Sequence, residues 1–209
     1  KKLVATKGLG ERVSLISTGS DEEESNAICD SIKAEIKLHK SSFKDFAVLY
    51  RTNAQSRMIE QTMMKEGLPY NIVGGTKFYD RKEVKDVIAY LTVVCNPNDN
   101  IALKRIINFP VRGIGEKSIN IFNELAAEKG ISLFESLKFC REIKLRGKQQ
   151  DSIESFYLSI NKFHDLLDTL DCKELLRTLL EEFNIENYYK NNPVEQERYD
   201  NIQELKSSI

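Results

Sequence analysis

Residues 46–86 read FAVLYRTNAQSRMIEQTMMKEGLPYNIVGGTKFYDRKEVKD, and the punctuation of this stretch sets the expected fold. Phe46 to Tyr50 is a short apolar run ending in Tyr50-Arg51, with the length and composition of a strand. Ser56 to Glu66 carries Met58, Ile59, Met63 and Met64 at helical spacing, and Gly67 with Pro69 behind it is a helix stop. Tyr70 to Val73 reads as a second strand, Gly74-Gly75 as a turn, and Lys82 as the approximate start of another helix. In open α/β sheets, ligands bind beyond the carboxyl ends of the strands, which is where Tyr50 and Arg51 fall. An aromatic face beside a fixed fork of donors suits a base and a phosphate; a packed tyrosine and a surface ion pair is the alternative.

Working outward, Arg12 to Ser17 alternates apolar Val13 and Leu15 with polar neighbours and reads as a strand. Asp21 to Glu24 places acid at a helix start, and Ala27, Ile28, Ile32 and Ile36 continue that helix to about Lys40. Strand, helix and the Phe46–Tyr50 strand make a crossover unit, the building block of a parallel sheet. The leading residues 1–11 are polar and read as a linker. From Glu83 a helix carries Val84, Val87, Ile88, Leu91, Val94 and Cys95 on one side, and Asn96-Pro97-Asn98-Asp99 ends it. Beyond that point the period-2 signal disappears. Ser132 to Glu135, Asp151 to Glu154 and Asp171 to Glu174 have capping-box spacing. Ile153, Phe156, Ile160 and Phe163 line one helix, and Leu175, Leu176, Leu179 and Leu180 the next. The expected fold class is therefore α/β, a partial parallel sheet over residues 1–96, followed by an all-helical domain over residues 97–209.

The 209 residues are 41% hydrophobic and 30% charged, with a formal net charge of -1. No apolar run approaches the ~20 residues of a membrane span, and no signal-peptide core opens the chain, so no membrane partner and a cytoplasmic location are expected. Cys29, Cys95, Cys140 and Cys172 are scattered and read as buried reduced thiols; His39 and His164 have no ligand spacing, so no metal site is expected. With no global basic field, nucleic-acid contact must come from local patches. Two exist: Lys104, Arg105, Arg112 and Lys117, and the run Lys138, Arg141, Lys144, Arg146 and Lys148. Between two short helices, Arg112-Gly113-Ile114-Gly115-Glu116-Lys117 reads as a turn that presents backbone N–H groups and a helix N-terminus to an anion, or as a purely structural hairpin. The second basic run extends that surface or is a solvated loop. Gly74, Gly75, Lys77, Phe78, Arg81 and Lys82 form a further block that allows close backbone approach to a ligand or a plain turn. No GxxxxGK[ST] phosphate loop and no acidic metal-binding motif at a strand end occur in these residues.

The segments LYRTNAQSR, GLPY and VGGTKFYDRKEVKD, in that order, resemble the motif IV and IVa region of superfamily 1 DNA helicases of the UvrD/PcrA/Rep type. The resemblance implies that residues 1–96 are part of the second RecA-like domain (2A), and that residues 97–209 are most of its inserted helical 2B domain. It implies that Tyr50 stacks on adenine and that Arg51 reaches the γ-phosphate as an arginine finger, a role suited to charge developing on a transferred phosphoryl group. Arg57 becomes a second contact near the nucleotide or DNA. Lys77 and Arg81 become phosphate contacts on a single-stranded DNA track, with Phe78 a stacking platform or a core residue. Arg112, Gly113, Gly115 and Lys117 become the element that grips duplex DNA in a helix-hairpin-helix manner. The parent would be an ATP-dependent, Mg²⁺-requiring helicase acting in DNA repair or replication, with single-stranded and duplex DNA and its own first RecA-like domain as partners. This piece by itself is expected to bind neither cofactor tightly and to hydrolyse no ATP. Two alternatives stay open: a non-enzymatic DNA-binding module of helicase-like architecture, and the helicase part of an AddA/RecB-type nuclease-helicase.

Overall fold

A computed structural model describes residue 10 and residues 12–191 and 193–209. These hold ten α-helices and five short 3₁₀ turns, and among the described residues there is no β-strand. The expected α/β class, with its partial RecA-like parallel sheet, is thereby corrected. The three candidate strands, residues 12–17, 46–50 and 70–73, have no ladder partner. Their period-2 pattern is a property of one segment, whereas a strand needs a second backbone about 4.8 Å away to take its N–H and C=O groups. The pattern still describes conformation in part. Phe46 is extended (φ -106°, ψ 145°), and Phe46, Val48 and Tyr50 are half-buried while Ala47 and Leu49 are exposed. Val13, Leu15, Leu49 and Val73 are each more than nine-tenths exposed, and residues 12–17 are exposed throughout. The linker read over residues 1–11 lies outside the described residues except for Gly10.

Contacts divide the chain into two compact units, one running to Arg51 and resuming over Met58–Asn71, the other made of Thr52–Arg57 and Ile72–Ile209. In the first, α1 (Asp21–His39) opens with four acidic residues, favourable against the helix dipole. Ser20 Oγ caps it by accepting from the Glu23 N–H at 3.1 Å. Cys29 and Ile32 of α1 pack against Met63 of α2 (Ser56–Lys65) and against Leu68, with Ile28, Ile36, Phe46, Val48, Ile59 and Tyr70 around them. Gly67, at φ 67°, reverses the chain after α2.

The second unit is built on α3 (Lys82–Cys95) and the seven helices after it: α4 (Asn100–Ile106), α5 (Glu116–Lys129), α6 (Leu133–Ser136), α7 (Gly147–Asp165), α8 (Cys172–Glu182), α9 (Ile185–Lys190) and α10 (Gln196–Ser207), with α3 against α4, α7 and α10. That many neighbours give α3 a broad buried face of Val84, Val87, Ala89, Tyr90, Val93 and Val94, while Ile88 and Cys95 of the expected stripe face out. Cys172 is also exposed; only Cys29 and Cys140 are the buried thiols expected, and all four cysteines are unbridged. The boxes at Ser132 and Asp171 cap α6 and α8, accepting from the N–H of Glu135 at 3.1 Å and Glu174 at 2.8 Å. Asp151 instead lies inside α7, which begins a turn earlier.

The last helix returns to the motif-bearing stretch through polar contacts. Arg81, buried at the start of α3, donates from Nη1 to Asn201 Oδ1 at 2.7 Å, and from Nη2 to Ser56 Oγ and the Asn53 carbonyl at 2.8 Å each. Asn201 Nδ2 donates in turn to Glu83 Oε1 at 2.5 Å. Arg57 pairs with Glu204 at 2.5 Å, and the Asn53 amide donates to Glu197. Asn201 is thus an amide whose acceptor meets a buried guanidinium and whose donor meets a buried carboxylate. Replacing Asn201 with Ala removes one hydrogen-bond partner from each charged neighbour, so unfolding in urea should show a loss of about 1–3 kcal/mol. Lys173→Ala on the exposed surface should change stability by less than about 0.5 kcal/mol; equal effects of the two substitutions would refute this account of the network.

Candidate nucleic-acid interface

The connection from α4 to α5 is a hairpin whose backbone is held from inside. Asn108 Oδ1 accepts from the N–H groups of Arg112 at 2.9 Å and Ile114 at 3.0 Å, closing residues 108–114 around one side chain. The Phe109-Pro110 peptide is cis. Gly113 has φ 74°, in the left-handed region, and an added Cβ would meet no atom within 4 Å; the conformation, not space, is what calls for glycine. Ile114 is buried beneath the turn. Gly115 then caps α5 with no side-chain hydrogen bond, and Gly113, Gly115, Glu116 and Lys117 are all exposed.

Arg112 anchors this loop. Its Nη1 donates to the carbonyls of Ile106 at 2.9 Å and Phe109 at 2.7 Å, and its Nη2 to the Tyr90 hydroxyl at 2.5 Å. The Tyr90 hydroxyl donates onward to the Phe109 carbonyl. The guanidinium carbon lies 5.0, 5.4 and 5.9 Å from the ring centroids of Phe156, Phe183 and Tyr90. From the far side, Gln149 Nε2 of α7 donates to the Gly113 carbonyl at 2.6 Å. The hairpin is therefore pre-shaped, with a guanidinium as its inner support and Lys117 in the first turn of α5 as its exposed cation.

The other residues singled out in the sequence fall in different surroundings. Tyr50 is half-buried and Arg51 exposed at the end of the extended segment of the first unit. In the second unit, Arg57 and Arg81 are at most 7% exposed and held in the network around α10. Lys77 is exposed just before the 3₁₀ turn Phe78–Asp80, and Phe78 is a fully buried core residue with the Arg81 guanidinium 5.2 Å from its ring centroid. Arg81, Gly75, Asn53 and Asn201 line a polar cleft of about 770 Å³, together with Lys82, Lys85, Arg105 and Arg198. Most of its charges are already paired, Lys85 with Asp80, Arg105 with Asp86 and Arg198 with Glu195.

Comparison with known proteins bears on what such an assembly belongs to. The family model for the UvrD-like helicase C-terminal domain matches residues 1–208. The chain belongs to that family. It is 46% identical over 142 residues to the ATP-dependent DNA helicase PcrA of Bacillus subtilis, covering 68% of this chain and 19% of that protein. Over 172 residues it is 38% identical to PcrA of Staphylococcus epidermidis, covering 82% and 24%. Over 184 residues it is 37% identical to PcrA of Staphylococcus aureus, covering 84% and 25%. The chain thus spans a quarter or less of the length of these relatives. Nothing in these likenesses favours the stand-alone binding module or the nuclease-helicase branch.

Asn108, Tyr90, Gln149 and Asn201 organise the hairpin and the α10 network, and none of them stood out in the sequence. Asn108, just before Phe109-Pro110 and a glycine, had a local signal, since asparagine accepts from backbone N–H groups in turns. Gln149 and Asn201 had none, because their partners lie 36 and 120 residues away. No described helix is long and apolar enough to cross a membrane.

Burial pushes the Tyr90 hydroxyl from 10.0 up to about 12, with Arg112 pulling the other way. The folded state therefore favours the protonated phenol. That stabilisation is complete below pH 10 and disappears as pH rises towards 12, by roughly 2–3 kcal/mol. Tyr189 is shifted in the same direction by burial and remains in both proteins of the comparison. Urea stability of wild type and Tyr90→Phe should therefore converge between pH 9 and 12; parallel curves would show that Tyr90 does not titrate in this way.

Proposed function

We propose that this chain is part of an ATP-dependent DNA helicase that translocates on single-stranded DNA and unwinds duplex, its helical part contacting duplex through the Gly113 hairpin. The observation that carries the reading is the hairpin itself: a left-handed Gly113, backbone held by Asn108 and Arg112, and the uncapped start of α5 next to exposed Lys117. A fixed loop that leaves backbone N–H groups and a lysine towards solvent suits the sugar–phosphate backbone, which is recognised without base reading. In this proposal the motif residues up to about 96 belong to the second motor domain and the residues after them to its inserted helical domain. Arg112, Arg57 and Arg81 act from within, as supports.

The nucleotide reading rests on Tyr50 and Arg51. A phenol ring offers a stacking face to an adenine and a guanidinium offers donors to a terminal phosphate, and the two residues follow one another at the end of the extended segment. ATP with Mg²⁺ would supply the free energy for movement along DNA. No group of three or more acidic, histidine or cysteine residues among the described ones is placed to hold a metal ion, so the Mg²⁺ ligands and the phosphate loop would come from the first motor domain of the parent. The family likeness and the share of the relatives covered support this division.

Two measurements test the reading. In a salt series with tailed duplex, single strand and blunt duplex, the chain should bind the duplex-containing DNAs, more weakly as salt rises, and Lys117→Glu should reduce the slope of log affinity against log salt by about 1. An unchanged slope in a correctly folded variant removes the hairpin from the interface. The second is ATP hydrolysis by the purified chain, expected at background with or without single-stranded DNA. Turnover that follows the chain through purification to homogeneity would refute the assignment of the phosphate-binding machinery to another part of the parent.

A further inference from the structure

The basic run at 138–148 divides into two halves with different fates. The Lys138 ammonium lies 5.1 Å from the Phe139 ring centroid, and Arg141 is bridged by Asp151 at 2.8 Å and Glu154 at 2.5 Å. Lys144, Arg146 and Lys148 are exposed, and none of the ion pairs among the described residues includes them. This unpaired half is also the half held beside the hairpin. Gln149 Nε2 reaches the Gly113 carbonyl at 2.6 Å, and Gln150 Nε2 reaches the carbonyls of Cys140 at 3.2 Å and Ile143 at 3.0 Å, which binds residues 140–146 to the start of α7. Lys148, adjacent to Gln149, is therefore held close along the chain to the residue that contacts Gly113, and Lys117 follows Gly113 in the first turn of α5. Over residues 113–117 and 142–148 the exposed carboxylates are Glu116 and Glu142, against four exposed cations, Lys117, Lys144, Arg146 and Lys148.

Resting on the duplex-binding reading above, we infer that Lys144, Arg146 and Lys148 form a second phosphate-binding surface, continuous with the Gly113 hairpin and engaging the backbone of the same DNA duplex. Like charges fixed close together repel, and a ligand that interleaves negative charge relieves that cost. A duplex presents one phosphate per about 1.7 Å of axis, so a duplex seated on the hairpin necessarily brings further phosphates past its neighbours. Long exposed lysine and arginine side chains with no internal acceptor are free to meet them. Gln149 sets the register between the two halves of the surface and contributes no charge.

The test is fluorescence anisotropy of the chain with a labelled blunt duplex across a salt series, comparing wild type with Arg146→Ala/Lys148→Ala, Lys138→Ala and Lys117→Ala, each shown by circular dichroism and thermal melting to be folded as wild type. The double variant should reduce the slope of log affinity against log salt by about 2, and Lys138→Ala should leave it unchanged. If Lys117→Ala lowers the slope and the double variant does not, the hairpin reading stands and this inference is overturned. Equal effects of Lys138→Ala and the double variant also overturn it, since only general charge would then matter. Loss of binding to a polyglutamate peptide, with duplex binding intact, would assign the surface to an acidic protein segment instead. If wild type does not bind duplex at all, both readings fall together.

Discussion

A guanidinium removed from water must keep its donors occupied, and the second unit is arranged around two that do. An isolated buried charge costs several kcal/mol, and its removal from a made network costs nearly as much because the partners are left behind. Arg81 meets this constraint with acceptors from residues 53, 56 and 201, and Arg112 with the carbonyls of its own loop and the hydroxyl of Tyr90. Each solution fixes an element. The first brings α10 onto the stretch that contains the motif residues, with Ile202 and Leu205 burying apolar surface alongside. The second holds the hairpin against Tyr90 of α3, Phe156 of α7 and Phe183 in the turn after α8.

This arrangement separates support from contact. In the hairpin, the arginine faces in and the lysine faces out, so the loop is already shaped when an anion arrives, and less ordering entropy opposes binding. Asn108 and Gln149 serve the same end, one closing the turn from within and the other tying it to α7. A basic residue inside a glycine-rich turn is easily taken for a phosphate ligand. Whether it is one depends on how many acceptors the fold supplies to it first.

What could be read locally was read well. The Gly67 stop, the Ser132 and Asp171 caps and the turn at Gly113 each depend on residues a few positions apart. Asp151 had the spacing of a cap, yet α7 begins at Gly147, where Gln149 accepts from the Arg146 N–H at 3.3 Å. A cap three residues long is a weak signal beside a helix that can extend. The buried face of α3 was wider than its period suggested because neighbours cover it on more than one side. Of the strand readings, residues 46–50 keep an alternation of half-buried and exposed side chains while residues 12–17 are exposed throughout, and all lacked the one thing no single segment contains, a neighbouring backbone to pair with.

By itself the sequence determined the helices up to α8, the Gly67 stop, the hairpin and the motif that resembles its family, because each is encoded within a few residues or one ordered stretch; α9 and α10 were not legible in it. Tertiary structure alone decided which cations are inside and which remain on the surface. Arg57, Arg81 and Arg112 are held within the fold while Arg51, Lys77, Lys117 and Lys148 are exposed, although all seven are equally basic in the sequence. The physical reason is that burying a charge requires acceptors, and Arg57 and Arg81 each take one from α10, well over a hundred residues away.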